Sequence, residues 1–155
     1  MDGQESVNIR EMTIEDIDAV HLIETASFTK TSWTKEAFLR ELGVNRFAHY
    51  FVMEKDSEII GYCGLWLILD QSQITTIAIR DDQRGYGLGH ALLKYVKDYS
   101  AESTKTLSLE VNIDNDAAKS LYEKEGFSYG GIRKDYYGPG EDAHVMWVKL
   151  SLIHI

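Results

Sequence analysis

The stretch from Thr75 to Tyr99, TTIAIRDDQRGYGLGHALLKYVKDY, constrains the fold most: an apolar strand, a short polar turn, a glycine-spaced loop, then an amphipathic helix. Gly85, Gly87 and Gly89 fall at alternate positions. Behind them Leu88, Ala91, Leu92, Tyr95, Val96 and Tyr99 recur at helical spacing. Such glycines let the backbone turn tightly and bring N–H groups close to an anion, and the positive end of the following helix favours negative charge there. Two common nucleotide loops are excluded: no GK[ST] follows, and position 90 is His where a dinucleotide fingerprint has Gly or Ala. Taken alone, three glycines are also accounted for by a turn that caps a helix.

A chain of 155 residues has room for one domain with a substantial core and too little for two ordinary ones, so a single domain over 1–155 is expected. With 44% hydrophobic residues, one proline and no low-complexity tract, neither disorder nor a flexible linker is expected. The net charge of −9 argues against direct nucleic-acid binding and suits basic partners. A monomer or weak dimer is the expected state. Cys63, the one cysteine, sits in the apolar run IIGYCGLWLIL and reads as buried and inert. Ile59 to Leu69 is too short to cross a bilayer, and MDGQESVNIRE has no secretory pattern, so no membrane and a cytoplasmic location are expected. The five histidines, His21, His49, His90, His144 and His154, show no metal-ligand spacing, so no metal is expected. No G-x-S-x-G elbow is present either.

Val7, Ile9 and Met12 suggest a first strand, and Thr13 to Asp16 has the form of a capping box with Asp in place of Glu. Ile14, Ile17, Val20 and Leu22 or Ile23 supply the apolar face of the helix that follows. Phe28 to Trp33 reads as a loop, and Thr34 caps a second helix ended by Gly43. Three strands follow, Ala48 to Lys55, Ile59 to Leu69 and Ser72 to Ile79, with turns at Asp56-Ser57 and Asp70-Gln71. Lys105 to Asn112 alternates, Leu107, Leu109 and Val111 on one side and Ser108 and Glu110 on the other. A strand after a strand–loop–helix unit is placed parallel to the one before it. Asn115 then caps a helix that leaves at Gly126, and Ser128 to Arg133 and Ala143 to Leu152 are the last strands. The result is an α/β domain built on a mixed sheet.

Arg84-Gly85-Tyr86-Gly87-Leu88-Gly89 resembles the [QR]-x-x-G-x-[GA] acetyl-CoA loop of the GCN5-related N-acetyltransferase (GNAT) superfamily. LEVNIDNDAAKSLYEKEGF (Leu109 to Phe127) and RKDYYGPGEDAHVM (Arg133 to Met146) resemble its members that acetylate ribosomal-protein alanine termini. The resemblance implies a mostly antiparallel sheet with a parallel pair splayed at its centre and helices on both faces. It implies that residues 84–90, including Tyr86, Leu88 and His90, hold the diphosphate of acetyl-CoA, that Ile77, Ala78 and Ile79 pair with its pantetheine arm, and that Asn115 contacts it. Strand alternation alone makes Glu110 no more than a solvated carboxylate, and packing is the ordinary fate of Tyr122. The resemblance makes them general base and general acid.

Trp33, Tyr136, Tyr137, Glu141 and Asp142 lie on two loops and suit a basic extended peptide. By resemblance that peptide is the amino terminus of a small-subunit ribosomal protein, beginning with alanine. Ser32-Trp33 departs from the family's Pro-Trp. A small amine such as a polyamine or antibiotic is the alternative acceptor, and a non-catalytic acetyl-CoA-binding module the alternative class.

Overall fold

The computed structural model describes residues 7–28 and 32–150. Residues 29–31 of the first predicted loop, and Ser151 and Leu152 of the predicted final strand, lie outside them. The chain forms two compact units: Met1–Gly64 with Thr76–Leu92, and Leu65–Thr75 with Leu93–Ile155.

In the first unit, β1 (Val7–Glu11) pairs antiparallel with β2 (Ala48–Lys55), Val7 opposite Lys55 and Glu11 opposite Phe51. Arg10 on β1 donates to both carboxylate oxygens of Asp16, at 2.8 and 2.9 Å, and to Glu54 at 3.0 Å. That guanidinium holds the Asp16 carboxyl below the usual carboxylate range. Asp16 also accepts from the Thr13 backbone N–H at 2.8 Å, the part of a capping box that the sequence assigns to it. A 3₁₀ turn, Ile14–Asp16, leads into α1 (Ile17–Ser27). This turn breaks the helical register, so Ile14 is 58% exposed while Ile17, Val20 and Ile23 are buried; between the two candidates, Ile23 rather than Leu22 faces inward.

The second helix, α2 (Lys35–Gly43), starts where its cap predicts, with the Thr34 hydroxyl accepting from Ala37 N–H at 3.1 Å. Its Phe38 is fully buried, edge-on to Tyr50 and Tyr62, each at 6.2 Å. Between β2 and β3 (Glu58–Ile68), Asp56 and Ser57 have φ of 53° and 70°, the left-handed pair that tight hairpins require.

At the centre of this unit lies Glu24, 1% exposed. One carboxylate oxygen accepts from the Tyr62 hydroxyl and from Thr76 Oγ1 at 2.7 Å; the other accepts from the Trp33 backbone N–H at 2.9 Å. Burial, reinforced by the Glu24 charge, pushes the Tyr62 phenol far above its ordinary range and keeps it a donor. Two strands and a loop thus converge on one side chain of α1. Cys63 is buried, its thiol raised by desolvation, as its apolar setting predicts.

The second unit contains the start of β4 (Gln71–Ile79), β5 (Thr106–Asn112), α4 (Asp116–Lys124), β6 (Ser128–Arg133) and β7 (Ala143–Lys149). β4 pairs parallel with β5: Gln71, Ser72 and Gln73 lie opposite Thr106, Leu107 and Ser108. β5 pairs antiparallel with β7, Glu110 opposite Val145, and β7 with β6. The strand order is β1-β2-β3-β4-β5-β7-β6, mostly antiparallel with this one parallel pair. Leu107, Leu109 and Val111 are buried, as alternation predicts. Asn115 Oδ1 accepts from Ala118 N–H at 3.1 Å, and Gly126 leaves α4 with φ 94°.

Two details differ from the sequence reading. The turn before β4 is Leu69-Asp70: Leu69 is 92% exposed with φ 56°, and Gln71 is already paired in the sheet. On α3 (Leu88–Ala101) the buried stripe is Leu92, Leu93, Val96 and Ser100, whereas Ala91 is exposed and Tyr95 is 36% exposed. The inward face is therefore turned toward Leu93.

Glu24→Ala, which strands two hydroxyls and an amide N–H inside the first unit, is expected to lower unfolding free energy by about 3 kcal/mol or more. Glu24→Gln is expected to cost less than about half of that, because both hydroxyls can turn to accept from its amide nitrogen while its oxygen accepts from Trp33. Urea unfolding of the two variants measures the difference.

Candidate active site

Ile77, Ala78 and Ile79 close β4 beside the first half of β3. A Cβ on Gly61 would come within 2.7 Å of the Ile79 side chain and 3.2 Å of the Ala78 carbonyl, so glycine is what lets β3 lie this close. Arg80 N–H donates to the Ile60 carbonyl at 2.7 Å. After the 3₁₀ turn Asp81–Gln83, Arg84 folds back: its Nε donates to the Ile79 carbonyl at 2.9 Å, and its guanidinium meets Asp81 at 2.7 Å and Ser27 Oγ at 3.2 Å. Arg84 therefore braces the loop against the end of the strand.

Gly85 and Gly87 have φ of 88° and 79°, a region that side chains disfavour, and a Cβ on either would meet nothing within 4 Å. Gly89 and His90 already belong to the first turn of α3, where Ala91 N–H donates to the Gly87 carbonyl at 3.2 Å. Helix geometry aims the amides of that turn along the axis, past the open glycines. The loop has the form of an anion cradle: tight, open on one side and lined by backbone. Tyr86 is 73% exposed, and the Lys55 ammonium, which also donates to Gln83 at 2.9 Å, lies 5.7 Å from its ring centre. Lys55 is a neighbour that sequence reasoning missed, because it comes from β2.

In the second unit, Glu110 has a side chain only 9% exposed. Its Oε1 accepts from Gln73 Nε2 at 3.0 Å and from the Tyr136 hydroxyl at 3.4 Å; its Oε2 lies 3.5 Å from Arg133 Nε. The Tyr137 hydroxyl donates to the Glu110 backbone carbonyl at 3.1 Å. Burial, then the Glu110 charge, raises the Tyr136 phenol above its ordinary range, and burial raises Tyr137 further. Both tyrosines therefore act as neutral donors around the carboxylate. Glu110, Tyr136 and Tyr137 come together as candidates; Gln73 and Arg133 are members that the sequence did not single out. The parallel register places Gln73 opposite Ser108, one same-face step from Glu110, and that pairing is the signal that finds it.

The remaining predicted residues lie on α4 and its cap, on the β6–β7 loop and before α2. Asn115 is the exposed cap of α4, with the non-helical φ −89° and ψ 78°. Tyr122 is 7% exposed, its ring 5.7 Å from Phe127. Asp142 Oδ1 accepts from Asp135 N–H at 2.8 Å, and the Glu141 carbonyl accepts from Tyr137 N–H at 3.0 Å, so both fix the β6–β7 loop. Trp33 packs against the first unit's core, 5.4 Å from Phe38. Among the described residues no group of three or more His, Cys, Asp or Glu is placed to hold a metal ion.

A glycine cradle between a strand and a helix, on a sheet with one parallel joint, is the frame of an acyltransferase, and the chain belongs to the acetyltransferase (GNAT) family, whose model matches residues 17–127. Its likeness within that family is to RimI. The chain is 31% identical over 148 residues to N-alpha-acetyltransferase RimI of Mycobacterium tuberculosis, covering 92% of each. It is 48% identical over 145 residues to a candidate ribosomal protein bS18-alanine N-acetyltransferase of Bacillus subtilis, covering 92% of this chain and 95% of that protein. The crystal structure of the ribosomal-protein-S18-alanine N-acetyltransferase of Escherichia coli aligns with a TM-score of 0.86 at 28% identity, covering 96% of this chain and 97% of that one.

Gly87→Glu combines a disfavoured backbone with a carboxylate in the cradle, and is expected to abolish acetyl-CoA binding by calorimetry while the folded circular-dichroism spectrum persists.

Proposed function

We propose that this chain, acting as one domain over residues 1–155, transfers the acetyl group of acetyl-CoA to the amino-terminal α-amine of a protein. The acceptor is the alanine terminus of a small-subunit ribosomal protein. The observation that carries this reading is Glu110: a nearly buried carboxylate on a strand, held by Gln73, Tyr136 and Arg133, in a chain similar along its length to alanine N-acetyltransferases.

When bound, acetyl-CoA supplies the activated acyl group as a thioester. Backbone amides of residues 85–90 hold its diphosphate, with Asn115 as a further contact, and β4 at Ile77, Ala78 and Ile79 pairs with the pantetheine arm as a peptide adds to a sheet. Glu110 takes the proton from the acceptor, directly or through one water. The task suits a carboxylate, since a terminal amine has a pKa of about 7.7–8.0 against about 10.4 for lysine. Tyr122 holds the proton that the departing sulfur receives. Tyr136, Tyr137, Glu141 and Asp142 on the β6–β7 loop are the acceptor contacts, with Trp33 a candidate by resemblance alone. The net charge of −9 favours a basic peptide, and a ribosomal acceptor places the reaction in the cytoplasm.

The test is incubation with acetyl-CoA and, separately, an Ala-Arg-Arg peptide, the same peptide with a blocked amino terminus, and a polyamine panel. Acetylation of the free peptide alone is expected by mass spectrometry; acetylation of polyamines without the peptide overturns the reading, and thiol release with neither points to a binding module. Tyr122→Phe is expected to lower kcat about 100-fold while acetyl-CoA affinity stays within about twofold. Unchanged turnover would remove Tyr122 from its role.

A further inference from the structure

We infer that Gln73 is the positioning residue for Glu110, fixing one carboxylate oxygen so that the other is presented to the acceptor amine; this rests on Glu110 acting as the base. Three observations lead to it. Gln73 lies in the parallel ladder opposite Ser108, so Glu110 is its diagonal neighbour on β5, within reach of a long side chain. Its Nε2 donates to Glu110 Oε1 at 3.0 Å, the shortest of the contacts to this carboxylate. An ionised carboxylate only accepts, so this bond also fixes which way the amide faces.

The other two contacts are looser and come from less anchored groups. Tyr136, at 3.4 Å, is 46% exposed on the β6–β7 loop, and Arg133, at 3.5 Å, has a side chain 59% exposed. Gln73 lies within β4, whereas Arg133 is the last residue of the exposed β6 and Tyr136 is on a loop, and a reactive group is best held by rigid elements. Its chemistry is also suited to a base. A neutral amide orients one carboxylate oxygen by a hydrogen bond alone, while the cation at this carboxylate, Arg133, meets the other oxygen.

The experiment compares steady-state kinetics with acetyl-CoA and the Ala-Arg-Arg peptide for the parent, Gln73→Met, Gln73→Leu, Glu110→Gln, and Gln73→Met combined with Glu110→Gln. Urea midpoints and acetyl-CoA affinity serve as controls for folding. Gln73→Met and Gln73→Leu are expected to lose about 10-fold in kcat with KM for acetyl-CoA within about twofold, and Gln73→Met to cost nothing further once Glu110 is Gln. Parental kcat in both Gln73 variants, or an equal loss in both Glu110 backgrounds, overturns the inference, the latter by showing a merely structural effect. Parental turnover in Glu110→Gln overturns the base assignment and this inference with it; a slow Glu110→Gln beside fast Gln73 variants overturns the inference alone.

Discussion

The parallel joint between β4 and β5 is the constraint on which the rest of the architecture depends. Antiparallel neighbours can be joined by two residues, as β2 and β3 are at Asp56 and Ser57, but a parallel pair needs a long crossover. Here that crossover is the 3₁₀ turn, the glycine loop and α3. A crossover helix presents its N-terminus just past the end of the strand it leaves, where unpaired amides favour an anion. The same joint puts Gln73 beside β5 and so supplies a donor for Glu110. One topological requirement thus accounts for both the glycine cradle and the setting of the carboxylate.

The chain holds two nearly buried carboxylates, and their surroundings separate their roles. Glu24 is enclosed, and its three donors are an amide N–H and two hydroxyls, all from within the first unit's core. Such a closed network rigidifies and specifies a core, and no solvent-facing group takes part. Glu110 also rests on a neutral donor, yet two of its neighbours, Arg133 and Tyr136, are substantially exposed. A carboxylate bordered by exposed groups on one side and a strand on the other lies near solvent; Glu24 is enclosed. Burial alone would not have told them apart.

The sequence makes local features legible because their causes are local. Thr34 and Asn115 are caps, the alternation of β5 matches its burial, and Gly85 and Gly87 adopt the left-handed backbone that their spacing suggests. What it hides depends on partners brought from far along the chain. Glu24 looks like one more polar position on α1, and nothing nearby shows that Tyr62 and Thr76 will close over it. Gln73 and Arg133 are ordinary strand residues until pairing sets them against Glu110. Periodicity reports which face is inward, not what a polar side chain will meet there. Where it erred on facing, as at Ile14, the cause was a 3₁₀ turn that shifts the helical phase.

Charge explains why glycine spacing, rather than a basic cluster, carries the signal for an anion site in this chain. With 25 acidic residues against 16 lysines and arginines, the two arginines that flank the turn meet acidic neighbours. Arg80 is shared between Asp82 and Glu58, and Arg84 is divided among Asp81, the Ile79 carbonyl and Ser27. These arginines brace the turn; their charge is already matched. Backbone dipoles at this loop favour an anion without those arginines, and need only glycine and a helix N-terminus to be aimed. The same reasoning holds on the β6–β7 loop, where Asp142 and Asp135 spend their carboxylates on loop amides. There the aromatic rings of Tyr136 and Tyr137 are set edge-on at 4.9 Å, and their hydroxyls, not those carboxylates, reach Glu110.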